Sequence, residues 1–216
     1  MAHQLEIWEG EFGTAYTDRN LVDWRVRLPA FRQMLEGLSV RSLLEVGCNR
    51  GHNLLALSNL LPDGEIVGLE PNRHALQIAR ASGSGFSALW GHALDIPFRD
   101  GTFDLVLTAG VLIHIPLDDL PAALKEICRV SRRYVLAVEY YAVEETLIPY
   151  RGHDDLLWKR DFLRHFQVVC PGLTLLRHGH WGAEDGFDRT HWWLMETSTA
   201  SEAGRLAGGP PVRGPA

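Results

Sequence analysis

The chain reads as an α/β protein with a doubly wound, seven-stranded, mostly parallel sheet that ends in an antiparallel hairpin. Three observations predict it. From residue 42 onward, short runs that are apolar throughout alternate with helix-like segments, as in a parallel sheet covered on both faces. The first run, Leu43-Leu44-Glu45-Val46, leads into Gly47-Cys48-Asn49-Arg50-Gly51, and a second run ends in Glu70. Strand, glycine turn, helix, strand, carboxylate is the layout of a nucleoside-binding βαβ unit. After Tyr150 the rhythm changes, and two strand-like runs follow with only a Gly-rich loop (179–188) between them.

Taken in order, residues 1–41 are expected to form an N-terminal lid and helix. Ile7–Tyr16 is aromatic, glycine-punctuated and aperiodic, which predicts a packed loop or a lid that orders over a ligand. Trp24, Leu28, Phe31, Leu35 and Leu38 recur at steps of four and three, an amphipathic helix that Pro29 should break or start late. The main domain is expected over 42–199. Ser42–Val46 predicts a strand, His52–Leu61 a helix, Glu65–Leu69 a strand and Asn72–Ser82 a helix. Phe86–Trp90 and Phe103–Ala109 follow as strands. Leu117–Val130 predicts a helix with Asp118 or Asp119 as N-cap and Pro121 in its first turn, where a missing N–H costs little. Tyr134–Val138 is the next strand, Asp154–Phe166 a helix, and Leu173–His178 with Thr190–Glu196 the closing hairpin. Trp181, Trp192 and Trp193 are expected to pack the core or hairpin. Residues 200–216, rich in Gly, Pro and Ala, predict a disordered tail.

With 216 residues, 46% hydrophobic and 22% charged, the chain can bury a core without staples. Its three cysteines, Cys48, Cys128 and Cys170, are far apart and form no CxxC pair. That predicts neither a metal site nor a disulfide framework, and a reducing, cytoplasmic setting. Met1–Gly10 lacks a signal-peptide pattern, and no apolar run approaches the roughly 20 residues a membrane span needs. A net charge of −6 argues against a nucleic-acid backbone as substrate. A homo-oligomer is left open.

The glycine loop lacks the GxGxxG that seats a pyrophosphate. It resembles instead the ExGxGxG loop of S-adenosylmethionine-dependent class I methyltransferases, with Asn49 at the middle glycine. The segment Gly91-His92-Ala93-Leu94-Asp95-Ile96-Pro97-Phe98-Arg99-Asp100-Gly101-Thr102-Phe103-Asp104-Leu105-Val106 resembles the GDAxxLPFxDxxFDxV segment of the same family. The resemblance implies a Rossmann-like fold, a methyltransferase domain over 42–199, and S-adenosyl-L-methionine as cofactor. It implies Glu45 near the cofactor ammonium, Gly47, Asn49 and Gly51 along its amino-acid half, Glu70 on the ribose and Ala109 at the fourth strand's end. His92 stands where the family has the acid that meets adenine, so backbone groups of Ala93 and Leu94, or Asp95, are the expected adenine contacts.

On the acceptor side, His114 in Ala109–Pro116 is a candidate general base or a shaper of the pocket floor. Glu139 and Tyr140 are candidates for orienting an amine or hydroxyl. The strings Glu139-Tyr140-Tyr141, Pro149-Tyr150-Arg151-Gly152-His153 and Lys159-Arg160-Asp161-Phe162, with Trp8–Gly13 and Tyr16–Asn20, resemble the pseudaminic acid biosynthesis-associated methylases over roughly residues 5–196. That likeness implies a methyltransferase acting on a small polar metabolite. Tyr16, Arg19, Tyr150, Arg151, His153 and Lys159 are the candidate substrate contacts, and their cations suit an anionic acceptor. The alternatives are a protein or RNA methyltransferase, which the acidic charge and the missing [DN]PP[YF] string disfavour, and a non-catalytic cofactor-binding protein. An oxidoreductase or epimerase would show GxGxxG and YxxxK; neither occurs.

Overall fold

In a computed structural model, which describes residues 2–197, the predicted alternation is present from residue 42 to the hairpin. The elements are α1 (Ala2–Glu9), α2 (Glu11–Arg19), a 3-10 turn (Trp24–Arg27), α3 (Leu28–Leu35), β1 (Ser42–Val46), α4 (His52–Leu60), β2 (Glu65–Glu70), α5 (Arg73–Ala81), β3 (Ser87–Trp90) and β4 (Phe103–Ala109). They continue with α6 (Leu120–Val130), β5 (Ser131–Glu139), β6 (Thr146–Leu147), β7 (Trp158–Lys159), α7 (Phe162–Val169), β8 (Leu173–Trp181) and β9 (Thr190–Thr197). The seven-stranded sheet runs β3-β2-β1-β4-β5-β9-β8. β1 pairs in parallel with both β2 and β4, while β9 is antiparallel to β5 and β8. The order reverses between β1 and β4, so the crevice at the carboxyl ends of those strands is where an α/β sheet of this kind takes its ligand.

Successive side chains on a strand face opposite ways, so the two sheet faces build two cores. Leu105 and Leu107 of β4 join Phe31, Met34, Leu54 and Leu57 from α3 and α4. Val106 joins Leu120, Ala123, Leu124, Ile127 and Val130 along one stripe of α6, with Phe162 and Phe166 of α7. Each fully buried Leu, Ile or Phe contributes about 1.5–3 kcal/mol, so truncating Leu124 to Ala would cost about 2–5 kcal/mol. Trp192 and Trp193 are buried on opposite faces of β9, the packing role predicted for them.

Three local expectations change, and the one at Pro29 holds. Ile7–Tyr16 is not a loop but the junction of α1 and α2, joined at Gly10. Trp8, Phe12 and Tyr16 are spaced by four and so share a helical face, with Trp8 ring-stacked edge-on to both at 5.3 Å. Pro29 does delay α3, occupying its first turn after the 3-10 turn. The helix expected over Asp154–Phe166 starts only at Phe162, capped by Asp161, whose Oδ1 accepts from Arg164 N at 3.1 Å. Before it, Leu156 and Leu157 are buried and the chain is extended, with Ile148 N donating to Leu157 O at 2.9 Å and β7 pairing with β6. Cys128 and Cys170, 42 residues apart, form a disulfide between α6 and the end of α7; packing brings together what spacing kept apart, against the expectation of no disulfide. Cys48 is free and buried. Among the described residues no helix is long and apolar enough to cross a membrane. The tail expected over 200–216 lies outside the described residues.

Candidate functional site

A cavity of about 760 Å³ opens at the carboxyl ends of β1, β2 and β4, within the size range of small-molecule and cofactor sites. Gly47, at φ +75, turns the chain there, and a Cβ on it would come within 2.5 Å of Val111. A side chain at 47 would therefore push the β1 loop off the loop after β4. Gly51 does not line the cavity; it is the left-handed N-cap of α4, so its role is to turn the chain.

Glu45 ends β1 almost fully buried. Its Oε1 accepts from Asn53 Nδ2 at 2.6 Å, and its Oε2 is buried without a partner. Burial raises its carboxyl to about 7, against the lowering effects of Asn53 and Arg27. A buried carboxylate with one idle oxygen suits a cationic ligand group. Asn53 in turn accepts from Arg27 Nη1 at 2.6 Å.

Glu70 ends β2, also buried. Its Oε2 accepts from Asn49 N at 2.7 Å and its Oε1 from Asn72 N at 2.8 Å. Burial lifts it to about 7 despite these bonds. Each oxygen retains a second lone pair for a ligand hydroxyl. Asn49 has a left-handed backbone, φ +47, which asparagine tolerates better than most residues. Its side chain donates to Thr17 Oγ1 of α2 at 3.1 Å. Asn72 caps α5 through Oδ1, accepting from Ala75 N at 3.0 Å. Its Nδ2 shares two protons among Trp8 O, Glu9 O, Gly10 O and Thr14 Oγ1, all within 3.3 Å. The N-terminal helix pair is thus latched onto the loops after β1 and β2, with Trp8 and Tyr16 lining the cavity.

His92, Ala93 and Leu94 line the cavity beyond β3, as do Pro71 and Ala109, whereas Asp95 does not. His92 Nδ1 accepts from Leu94 N at 3.3 Å, so the Leu94 N–H is already paired within the chain.

On the opposite side the cavity is lined by His114, Tyr140 and Tyr150, by Tyr16 from the lid, and by Arg151. His114 donates from Nδ1 to Leu156 O at 2.5 Å, a carbonyl acceptor that fixes the proton on Nδ1 and leaves Nε2 with its lone pair. Burial drops its pKa to about 4, so the ring is neutral across the physiological range, with Nε2 free to accept a hydrogen bond but only weakly basic. It lies 4.5 Å from the Trp8 ring and 5.5 Å from the Tyr150 ring. Tyr140 donates to Asp188 Oδ2 at 2.6 Å; burial and that carboxylate hold its phenol far above the usual range. Burial also raises Tyr16, to about 12. Neither phenol is a base near neutral pH, and both are hydroxyl donors.

Glu139 requires a correction. It is fully buried and does not line the cavity; its carboxylate accepts from the N–H groups of Val111, Leu112 and Ile113 at 3.2–3.4 Å. Three orphan amides at the start of the turn carrying His114 consume it, so it positions that turn and does not touch an acceptor. Arg19, His153 and Lys159 also lie outside the cavity lining. Arg19 sits 5.6 Å over Tyr16 and Lys159 5.5 Å over Tyr140, while Arg151, which does line it, sits 5.7 Å over Tyr150. His153 packs edge-on to Phe12 at 5.1 Å and closes the turn at Arg151, φ +53. Arg160 is fully buried and donates from Nη1 to Ile115 O at 2.6 Å, fastening the β7 segment to the His114 turn. The residues that the sequence pattern did not bring forward are Arg27, Asn53 and Asp188.

Residues 43–133 match the family model described as "Methyltransferase domain". An uncharacterized methyltransferase of Schizosaccharomyces pombe is 32% identical over 128 residues, 53% of this chain and 45% of that protein. A demethylmenaquinone methyltransferase of Staphylococcus carnosus is 30% identical over 152 residues, 68% of this chain and 58% of that protein. The chain spans about half the length of these curated relatives. Magnesium protoporphyrin IX methyltransferase from Synechocystis PCC 6803, solved with bound S-adenosylhomocysteine, superposes on 89% of this chain and 97% of its own, with a TM-score of 0.66 at 14% identity. The chain therefore has the fold of the class I methyltransferases, and its residues 43–133 are similar to a methyltransferase domain.

Proposed function

We propose that the protein is an S-adenosyl-L-methionine-dependent methyltransferase acting on a small polar, anionic acceptor. The observation that carries this reading is the polarity of one continuous cavity. Two buried carboxylates, Glu45 and Glu70, stand at its strand ends, and at its other side Arg151 lines it over Tyr150, with Arg19 and Lys159 behind Tyr16 and Tyr140 outside the lining. A pyrophosphate would meet repulsion at Glu45 and Glu70; a nucleoside with a cationic amino-acid end meets a fit, including the idle Glu45 Oε2.

When bound, S-adenosyl-L-methionine supplies an electrophilic methyl group on a sulfonium. The chain's own residues then do three things. Glu45 holds the cationic end, Glu70 accepts the ribose hydroxyls, and the backbone at Ala93 and Leu94 meets the base. Tyr16, Tyr140 and Tyr150 orient the acceptor through their hydroxyls, which is most of what in-line methyl transfer requires. His114 Nε2 accepts a hydrogen bond from the acceptor where that is a hydroxyl or an amine. Trp8 and α1–α2 exclude water from above. None of Arg19, Arg151 and Lys159 is in an ion pair among the described residues, which leaves their charge to attract a carboxylate or phosphate on the acceptor.

The test is to incubate the protein with isotopically labelled S-adenosyl-L-methionine and a panel of acidic sugars, amino acids and nucleotides, with demethylmenaquinone as the contrasting arm, and to identify labelled product by mass spectrometry. Label on an anionic metabolite is the expected result. Label on demethylmenaquinone alone would overturn the substrate class, and no binding of S-adenosylhomocysteine by calorimetry would overturn the cofactor.

A further inference from the structure

Asp188 is a carboxylate on the acceptor side that the reading above does not use. It lines the cavity from the β8–β9 loop, and that loop is fixed. Phe187, one residue before it, is buried and packs edge-on to Phe31 of α3 at 5.7 Å. Gly186 O accepts from Arg27 Nε at 2.8 Å, and the guanidinium lies 4.9 Å over the Phe187 ring. Gly186 has φ +78, and a Cβ there would run into Val26 and Arg27, so a glycine lets the loop close around the arginine. Among the described residues Asp188 is in no ion pair. Its Oδ2 accepts from Tyr140 at 2.6 Å, which leaves Oδ1 for a ligand. Five rings line the cavity on the same side: Trp8, Tyr16, His114, Tyr140 and Tyr150. Trp8 lies 5.3 Å from Tyr16 and 4.5 Å from His114, and His114 lies 5.5 Å from Tyr150. Burial, Asp188 and the phenols of Tyr150 and Tyr16 each push the Tyr140 phenol up, so negative potential collects at that corner. Aromatic faces with one carboxylate among them attract a desolvated cation.

The available bases point the same way. A hydroxyl must lose its proton as the methyl arrives, which calls for a base near neutrality. Here His114 titrates at about 4, and Tyr16 and Tyr140 are hydroxyl donors. A neutral amine attacks through its own lone pair and needs no base in that step. A carboxylate acceptor needs none either, but would meet repulsion at Asp188.

We propose that Asp188, Tyr140 and the rings of Trp8, Tyr16 and Tyr150 form an amine subsite, so that the methyl acceptor is an amino nitrogen on a molecule whose anion lies toward Arg151. The subsite rests on the methyltransferase reading and narrows its acceptor to nitrogen. The acceptor arrives as an ammonium and releases one proton to water. The amine lone pair forms the new N–C bond as the C–S bond of the sulfonium breaks, and that bonding pair stays on sulfur. The positive charge thereby passes to nitrogen, where Asp188 Oδ1 and the ring faces meet it and His114 Nε2 accepts from an N–H. The product leaves as a methylammonium.

The experiment measures binding by calorimetry, without turnover and with S-adenosylhomocysteine in place. The probes are two anionic pairs whose members differ only in an amino or a hydroxyl group: glucosamine 6-phosphate against glucose 6-phosphate, and taurine against isethionate. In at least one pair the amine is expected to bind about tenfold or more tightly. Asp188→Asn, a change at an exposed side chain, should cut that preference to less than about threefold, and Asp188→Glu should restore part of it. A hydroxyl member bound as well as its amine in both pairs overturns the subsite, as does binding of neither member of either pair. Equal losses for amine and hydroxyl in Asp188→Asn make Asp188 a structural residue and overturn its part. Isotopically labelled S-adenosyl-L-methionine, supplied with the same pairs, should put label on nitrogen. Label on oxygen alone overturns the subsite and leaves the methyltransferase reading standing. A wild type that does not bind S-adenosylhomocysteine refutes that reading itself, an outcome distinct from a failed subsite.

Discussion

Replacing Glu45 by Gln removes a charge from the floor of the site and almost no volume. In the folded chain burial puts this carboxyl at about 7, against an ordinary 4.5. The folded value lies above the unfolded one, so between pH 4.5 and 7 the unfolded chain has released the proton and the folded chain has not. The folded state therefore binds more protons there, and stability falls as pH rises through that window, then levels off above it. Each pH unit of the gap is worth about 1.4 kcal/mol, so ionising Glu45 costs the unliganded protein about 3 kcal/mol by pH 8. Glu45→Gln removes that dependence. It introduces a constant penalty of about 1–3 kcal/mol, because an amide N–H₂ replaces an oxygen that has no partner. The constant part cancels when pH values are compared. Urea denaturation at pH 4.5 and 8 should show the variant gaining about 3 kcal/mol on wild type across the interval. In thermal unfolding that is about 6–12 °C of relative Tm for a domain of this size. S-adenosylhomocysteine affinity should fall in the same variant by at least about tenfold. A wild-type-minus-variant difference that is the same at both pH values would refute the reasoning: Glu45 would then be ionised in the folded chain at low pH, neutralised by Arg27 without a ligand.

Three other perturbations separate the lid, the turn and the mouth. Asn72→Ala deletes the amide that reaches Trp8, Glu9, Gly10 and Thr14; hydrogen exchange in residues 2–19 should accelerate about tenfold or more, and unchanged protection would mean the lid is held by its aromatic contacts. His114→Ala should leave the rate flat between pH 6 and 8, since wild-type His114 titrates at about 4, and should remove an acid limb below about pH 5; a wild-type limb near 6.5 that vanishes in the variant would show the ring to be more exposed than its contacts imply. Arg151→Ala should raise the acceptor KM about tenfold with cofactor affinity unchanged; a lost cofactor affinity would move Arg151 to the other half of the cavity.

The sheet was legible because the central parallel strands β1, β2, β4 and β5 are buried on both faces over most of their length and so are written as apolar runs, while α4, α5 and α6 fall where helix-like segments were expected. Glu45 and Glu70 were legible for a related reason: an acid at the end of such a run has only the strand's carboxyl edge to face. Arg27, Asn53 and Asp188 were not. Each lies where sequence periodicity reports only packing, and each owes its role to contacts 8 to 159 residues distant in sequence. The same limit hid the Cys128–Cys170 pair. The helix expected over Asp154–Phe166 failed because Leu156-Leu157-Trp158 reads equally well in either period; the Ile148 N to Leu157 O bond at 2.9 Å decides it. Glu139 sat at a strand end like the other two acids, but the loop after β4 brings three free amides onto it, and an acid so occupied is a brace.

The contacts of Asn49 account for the departure of this loop from the ExGxGxG pattern it resembles. A glycine would turn the chain at φ +47 at no steric cost, so asparagine is retained for something glycine lacks. Its backbone N–H donates to Glu70, while its side chain donates to Thr17 in the lid. Thr17 is fully buried and passes its own proton to Gly13 O at 2.9 Å within α2. Asn72 repeats the arrangement from the other side, giving its backbone N–H to Glu70 and its side chain to the segment 8–14. The two amides that set the ribose-side carboxylate are therefore those of the two residues that latch the lid. A shift in either loop moves Glu70 and the N-terminal helix pair together, so under the proposed function the roof over the acceptor is registered to the cofactor's position by two asparagines and one acid.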